Sequence, residues 1–132
     1  MKMQAIHGQQ RGVTMIGFLF VALLFIIAAA IGMKVIPAYI EFYSMKNVVQ
    51  AIRQDPGFST MSSGQIRDSF SRRANTAYVT VVKASDLDID FGRGGPVVTV
   101  QYAYRTHLIG NVSLVLDFFT STDPDAQPAP VE

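Results

Sequence analysis

The sequence predicts an α+β protein with a long N-terminal transmembrane helix that extends outward, a short second helix and an antiparallel β-meander of three to four strands. Three observations carry this prediction: an apolar run without charge, helical spacing of apolar residues just after it, and alternating polar and apolar residues in the second half of the chain. Helical spacing buries one face of a helix, and alternation buries one face of a strand. Together they indicate one membrane segment followed by one small domain.

The apolar run extends from Val13 to Met33 and contains 21 residues without a charge. An α-helix rises about 1.5 Å per residue, so the run covers about 30 Å, the thickness of the hydrocarbon core of a bilayer. We therefore predict a transmembrane helix over residues 13–33, after a short segment over residues 1–12. A cleaved secretory signal is the alternative, with Ala28-Ala29-Ala30 as its cleavage site, but the apolar run continues past these alanines and favours an uncut anchor.

The distribution of charge predicts the orientation of this helix. Lys2 and Arg11 precede the run without an acid, and all ten Asp and Glu residues follow it. By the positive-inside rule, the N-terminus lies in the cytoplasm and the chain from Lys34 onward lies on the other side, which is the periplasm in a Gram-negative bacterium. The formal net charge of +1 argues against a nucleic-acid partner, which needs a clustered basic surface.

The first helix is expected to continue beyond the membrane. Between Val35 and Arg53 the apolar residues recur mostly three and four positions apart, an amphipathic pattern. Pro37 lies just after the span, where it can kink a helix or begin a new one. Three aromatic residues within the next two turns either form an interfacial belt at the membrane or pack against the domain: Tyr39, Phe42 and Tyr43.

One small domain is predicted over residues 34–119, and residues 120–132 are expected to form a disordered tail because they lack apolar periodicity. The Asp55-Pro56-Gly57 segment ends the first helix, and a second helix runs from about Gln65 to Ala74 behind an N-cap region that starts at Ser62. Strands are predicted at residues 78–82, 86–91, 97–107 and 112–118. Short turns join the last three strands into an antiparallel meander.

No arrangement of residues indicates an enzyme, a cofactor or a small-molecule substrate. Asp86, Asp88 and Asp90 alternate as at the start of a calcium loop, but the glycine and glutamate that such a loop needs at its sixth and twelfth positions are absent, so an exposed strand face is the preferred interpretation. His7 and His107 lie on opposite sides of the membrane in the predicted topology, so they cannot share a metal ion. We therefore expect no metal site.

The candidate interaction residues outside the membrane are Arg105, His107 and the turn at Gly110 and Asn111. An exposed turn beside aromatic residues is suited to recognition, and alternation directs Arg105 away from the core. A second basic set on the second helix either contacts anionic lipid headgroups or forms an ordinary solvated face: Arg67, Arg72 and Arg73.

Close approach of a partner helix is expected at three glycines at or within the membrane segment, because glycine lets helix backbones pack tightly. These are Gly12, Gly17 and Gly32. A span that packs against no partner is the simpler interpretation of the same glycines, since glycine is common in membrane helices.

Several short motifs follow one another in a definite order along the chain. They are QRGVTMIG at residues 10–17, VIPAYIE at residues 35–41, Ile66-Arg67, YAYR at residues 102–105 and LIGNV at residues 108–112. This order, over about residues 9 to 119, resembles domain-of-unknown-function family 4845 of proteobacterial single-pass inner-membrane proteins. The resemblance implies a bacterial inner-membrane protein of unresolved function, often encoded beside type I signal peptidase and ribonuclease III.

We therefore expect a non-enzymatic single-pass membrane protein that acts as an accessory or scaffold subunit, with the lipid bilayer and another membrane protein as its partners. The alternative is a filament subunit similar to pilins or pseudopilins, since a long helix leading into an antiparallel sheet is also the pilin plan. Cleavage after Gly12 would then leave Val13 as the N-terminus. Type IV pilins carry a glutamate at the fifth position after that glycine, where this chain has Gly17, so the accessory subunit is preferred.

Overall fold

The computed structural model describes residues 14–130, and the chain divides after Met33 into two compact units. Its helices and strands, in chain order, are α1 (Met15–Arg53), α2 (Ser63–Thr76), β1 (Asp88–Gly92), β2 (Gly95–Ile109) and β3 (Val112–Ser121). Single turns of 3-10 helix lie at Phe58–Thr60 and Ala84–Asp86. The predicted α+β plan of a long N-terminal helix, a short second helix and an antiparallel sheet is confirmed.

The first unit contains the apolar part of α1. Thr14 caps this helix, because its hydroxyl accepts a hydrogen bond from the amide of Gly17 at 3.3 Å and its carbonyl accepts one from the amide of Phe18 at 2.9 Å. The most apolar 18-residue window of the helix is 0% buried against other parts of the protein. By length and composition, this helix is able to cross a membrane.

From Lys34 onward α1 continues through Pro37 to Arg53, as predicted. The predicted amphipathic pattern is only partly correct, because Val48, Val49 and Ile52 are buried whereas Ile36, Ile40 and Tyr43 are exposed. The buried residues of α1 lie on one face and form one side of the domain core: Ala38, Met45, Val48, Val49 and Ile52. The helix ends just before Asp55, because a residue that precedes a proline disfavours the helical conformation.

α2 is two residues longer at each end than predicted, and its start has the expected cap. The Ser62 hydroxyl accepts a hydrogen bond from the Gln65 amide at 3.3 Å, and the Gln65 side chain accepts one from the Ser62 amide at 2.9 Å. This reciprocal pair is a capping box, which satisfies amides that the helix itself leaves without partners. Ile66, Phe70 and Ala74 recur at intervals of four residues and are buried against the core.

The C-terminal end of α2 contains a left-handed residue that is not glycine. Tyr78 has φ +56°, and the next amide, that of Val79, donates back to the carbonyl of Ala74 at 3.0 Å. This is the hydrogen-bond pattern of a Schellman motif, in which glycine usually occupies the left-handed position. The Tyr78 side chain is 87% exposed, so no packing compensates for its backbone conformation.

The described residues form a three-stranded sheet in the order β1-β2-β3, with both pairs antiparallel. Ile89 lies opposite Val98, and Tyr102 lies opposite Phe118. Val98 and Val100 of β2 are fully buried, and they share one core with the inward faces of α1 and α2. The predicted alternation of β2 is therefore present, with its even-numbered residues directed inward.

The strand predicted at residues 78–82 does not form, and that prediction is wrong. Val79 and Val82 are buried, but the backbone between them pairs with no strand. The carboxylate of Glu41 accepts hydrogen bonds from the amides of Thr80 and Val81 instead, at 2.6 and 2.9 Å. A side chain of α1 thus replaces the neighbouring strand, and periodicity in residues 78–82 could not reveal it.

Two further details differ from the expectations. Alternation over residues 86–91 predicts a packed face formed by Leu87, Ile89 and Phe91, but Phe91 is 56% exposed near the end of β1. β3 extends to Ser121 rather than ending at residue 118 as predicted. Thr122 continues the pairing beyond it, because its amide donates to the Val98 carbonyl at 2.9 Å and its hydroxyl accepts from the Val98 amide at 3.0 Å.

Part of the expected disordered tail is held against the sheet. The Gln101 side chain donates to the Ala129 carbonyl and accepts from the Ala129 amide, both at 2.9 Å. A half-buried glutamine in a strand gives no sequence signal for such a contact.

Candidate functional site

The four predicted interaction residues lie together on the distal hairpin, which we define as residues 104–116 of β2, β3 and the turn between them. Arg105 and His107 are exposed on the same outward face of β2. The His107 ring nitrogen Nδ1 lies 3.3 Å from the hydroxyl of Ser113, its neighbour across the strand pair. Gly110 and Asn111 form the turn that follows two residues later.

The turn is a two-residue loop, since Ile109 pairs with Val112. Gly110 has φ +55°, a backbone conformation that side chains other than glycine rarely adopt. Glycine at the first of the two loop positions is the residue preference of a type II′ turn, which suits the twist of a hairpin. A register shift between His107 and Ile109 adds one residue to β2 just before this turn.

The end of the hairpin exposes apolar side chains. Ile109 is 75% exposed, Val112 is 60% exposed and Val115 is 42% exposed. Alternation predicts one apolar face of β3 from Val112, Leu114, Leu116 and Phe118. The hairpin extends beyond the core at Val112, which therefore packs against none of the described core residues. The distal hairpin is therefore a β-ribbon with an apolar tip.

Lys34, the first residue of the second unit, contacts this ribbon. Its ammonium donates hydrogen bonds to the carbonyl oxygens of His107 and of Leu108, the second at 3.5 Å. Sequence patterns could not reveal this pair, because it joins residues 73 and 74 positions apart in the chain.

A second exposed apolar surface lies on α1, on the helix face opposite the core. We call it the outer stripe, and its members are Ile36, Ile40 and Tyr43, which are 59%, 61% and 59% exposed. Their spacing of four and three residues aligns them along one helix face. Asn47 is the next residue on that face and is also exposed, so the apolar stripe ends there.

The three aromatic residues of this region divide between the two interpretations left open by the sequence. Phe42 stacks on Phe118 with ring centroids 4.7 Å apart, and Tyr39 meets the same ring edge-on at 5.3 Å. Tyr43 is exposed on the outer stripe. Packing against the domain is therefore the correct interpretation for Phe42 and, in part, for Tyr39.

Glu41 and Tyr102 form a polar cluster between α1 and the sheet. Besides the two amides described above, the Glu41 carboxylate accepts a hydrogen bond from the Thr80 hydroxyl at 2.9 Å. The Tyr102 hydroxyl is buried and has no hydrogen-bond partner among residues 14–130. Burial, with a smaller contribution from the negative charge of Glu41, raises the pKa of Tyr102 to about 12.

Two of the three arginines on α2 are engaged within the domain. Arg67 donates to the Ala84 carbonyl at 2.6 Å, and Arg73 lies 3.6 Å from the Asp55 carboxylate. These contacts favour the interpretation of this set as an ordinary surface of the helix rather than a lipid-binding patch.

The remaining predicted positions are less informative. Gly17 and Gly32 are half-exposed in α1, whereas Gly12 lies outside the described residues. The strand predicted at residues 86–91 begins only at Asp88, because Asp86 lies in the preceding 3-10 turn. The Asp86 carboxylate accepts from the Lys83 amide at 2.9 Å and lies 3.3 Å from the Ser85 hydroxyl. Within residues 14–130, no group of three or more His, Cys, Asp or Glu side chains is arranged to hold a metal ion.

Comparison with known proteins gives one match. Residues 34–118, more than half of the chain, match the family model described as a domain of unknown function, DUF4845. No curated protein and no solved structure matches the chain. The matched range contains the distal hairpin, the outer stripe and Glu41, so all three features belong to the family domain.

Proposed function

The chain belongs to the DUF4845 family, as its motifs predicted, and from this premise we propose that it is a single-pass membrane protein that serves as an accessory subunit of another membrane protein. The bilayer holds the apolar part of α1, and the outer stripe binds the partner. The observation that carries the proposal is the exposure of Ile36, Ile40 and Tyr43 on a helix whose opposite face is buried.

Lipid does not account for the exposure of the whole stripe. If the hydrocarbon core ends near Met33, a rise of about 1.5 Å per residue puts Ile40 about 10 Å and Tyr43 about 15 Å beyond it along the helix axis. The headgroup region on each side of the hydrocarbon is only about 5 to 8 Å thick. Ile40 and Tyr43 therefore lie in the aqueous phase, where exposed apolar surface of this kind indicates a protein contact.

The partner is expected to be a membrane protein because the stripe begins within one turn of the charge-free run. The stripe ends at Asn47, so the docked surface is confined to the first turns of α1 outside the membrane. A helix or loop of a neighbouring membrane protein that leaves the membrane beside α1 would contact the outer stripe. Neither protein would have to unfold for this contact. The N-terminus then lies in the cytoplasm and the domain in the periplasm, as the charge distribution predicts.

Site-specific photo-crosslinking in intact cells tests this proposal. A photoreactive amino acid at position 36, 40 or 43 is expected to give a discrete adduct with a second membrane protein. Asn47 is the matched control, because it is exposed on the same helix face one turn further on, and it is expected to give little adduct. Adducts of equal yield at positions 40 and 47 would contradict the proposal.

Two differently tagged copies expressed together identify the partner class. An adduct that carries both tags would show that the stripe binds a second copy of this chain, which would contradict an accessory role for the stripe. An adduct with one tag supports the accessory role, provided that its other component is an integral membrane protein.

A filament subunit similar to pilins is the second candidate, favoured by one observation: a long apolar helix leads into an antiparallel sheet. The processing junction at Gly12 lies outside the described residues. Mass determination and N-terminal sequencing of the protein from membranes separate the two candidates. A start at Val13 would support processing as in pilins, whereas a start at Met1 or Lys2 would support the anchored subunit.

A further inference from the structure

We propose that the tip of the distal hairpin, from Ile109 to Val112, inserts into the lipid headgroup region, so that the domain contacts the bilayer at a second point besides α1. This inference rests on the proposed membrane anchor. A lipid surface, rather than a protein, then covers the apolar tip.

The depth of the tip follows from Lys34. Lys34 comes directly after the charge-free run, so its backbone lies at the boundary of the hydrocarbon when α1 spans the membrane. Its ammonium contacts the carbonyl oxygens of His107 and Leu108. Helical side chains lean toward the N-terminus of their helix, so this contact lies at the depth of Lys34 or nearer the hydrocarbon.

Ile109 is the residue that follows the Lys34 contact, and it pairs across the turn with Val112. Both side chains are largely exposed, at 75% and 60%. At the boundary of the hydrocarbon, these two side chains meet lipid rather than water, which explains why an apolar pair ends a hairpin that has left the core. Apolar side chains thus lie at the end of the sheet that contacts Lys34.

The charges on the hairpin fit a membrane surface. Between Gln101 and Leu116 there is no acidic residue, whereas Arg105 and His107 face outward near the tip. The first acid, Asp117, lies opposite Ala103, about six residues or 20 Å from the turn at a strand rise of about 3.4 Å per residue. The positive charge of Arg105 is attracted to anionic phospholipid headgroups, and the nearest carboxylate of these two strands lies about 20 Å from the turn.

The turn limits how far the tip enters. The backbone groups of Gly110 and Asn111 cannot all be paired within a two-residue loop, and unpaired backbone groups do not enter hydrocarbon. The headgroup region supplies water and phosphate oxygens as partners. The tip therefore stays in the headgroup region, with only the side chains of Ile109 and Val112 directed toward the acyl chains.

Depth-dependent fluorescence quenching tests this inference on the full chain in vesicles of phosphatidylcholine and phosphatidylglycerol. The sequence contains no cysteine, so single substitutions can be labelled with an environment-sensitive dye without background. In I109C we expect a blue-shifted emission and strong quenching by phosphatidylcholine with a spin label near its headgroup. Gly94→Cys is the matched control: it lies in the other hairpin turn, its added Cβ meets nothing within 4 Å, and we expect its emission to remain that of an aqueous dye.

Leu24→Cys, in the middle of the apolar run, reports on the anchor itself, and it is measured with the spin label on the acyl chain because the centre of the hydrocarbon lies about 15 Å from the headgroups. Quenching at Leu24 together with an aqueous signal at Ile109 would overturn the hairpin inference and leave the anchor intact. An aqueous signal at both positions would overturn the anchor and the hairpin inference together. Quenching at positions 24 and 109, but not at position 94, is the result that we expect.

Discussion

Replacing Glu41 by alanine should destabilise the domain, because this one carboxylate holds a segment that no strand supports. Glu41 accepts hydrogen bonds from the Thr80 amide, the Thr80 hydroxyl and the Val81 amide at 2.6, 2.9 and 2.9 Å. Hydrogen bonds to a charged group contribute roughly 1.5 to 3 kcal/mol each when buried. Thr80 is exposed to water, which weakens the contribution of its hydrogen bonds to Glu41. We therefore expect Glu41→Ala to lower the free energy of unfolding by about 2 to 4 kcal/mol.

Urea unfolding of the full chain in a mild detergent, followed by the near-ultraviolet circular dichroism of the tyrosines, measures this change. With a slope of about 2 kcal/mol per molar urea, the midpoint should fall by roughly 1 to 2 M. Glu41→Gln keeps an acceptor oxygen without the charge and should lose about half as much. Asp68→Ala removes an exposed acid from α2 and serves as the control.

Hydrogen exchange gives the same test at the level of single amides. The amides of Thr80 and Val81 should exchange much faster in Glu41→Ala than in the wild type, while those of β2 change little. Equal urea midpoints for the Glu41→Ala and Asp68→Ala variants, with unchanged exchange at residues 80 and 81, would refute the assigned role of Glu41.

Three further predictions concern local features of the domain. Tyr78→Gly should raise the free energy of unfolding by about 1 kcal/mol, because a left-handed conformation costs a residue with a side chain roughly 1 to 2 kcal/mol. The exposed ring packs on nothing, so its removal loses no contact. Tyr78→Ala should give no such gain in the same urea experiment. Ser62→Ala removes the cap of α2 and should cost about 1 kcal/mol, measured by thermal unfolding, whereas Ser63→Ala next to it should be nearly neutral. Tyr102 has a pKa of about 12 in the folded domain, above the ordinary value of about 10, so the stability that depends on its neutral form is complete below pH 10 and is lost as the pH rises through 12. Tyr102→Phe should weaken this alkaline loss of stability, and identical pH profiles of the two proteins would contradict the assignment.

The elements that the sequence predicted correctly have strong local signals. The apolar run and the helical spacing after it predicted α1, and Ser62 with Gln65 predicted the start of α2. The alternation of β2 predicted that Arg105 faces outward. In each case the pattern depends on neighbouring residues only, so it can be found without knowledge of the tertiary structure.

The features that sequence reasoning missed depend on contacts between distant residues. Glu41 replaces a strand partner for residues 80 and 81, and nothing in the local pattern of residues 78–82 distinguishes this from a true strand. The contact of Lys34 with the distal hairpin joins the first turn of the domain to its last hairpin. The outer stripe was hidden for another reason, because α1 carries apolar residues on both faces and spacing alone does not indicate which face the core covers.

The most direct test of the proposed accessory role is the retention of the crosslinked membrane protein by an Ile40→Asp variant. Burial of an isoleucine side chain contributes about 1.5 to 3 kcal/mol, so loss of this contact should weaken binding roughly 10- to 100-fold. We expect Ile40→Asp to lose the partner in quantitative co-purification, while Asn47→Asp, with the same added charge about two turns further along the same face, retains it. Equal retention by the two variants would contradict the account, since the outer stripe would then not be the surface that binds the partner.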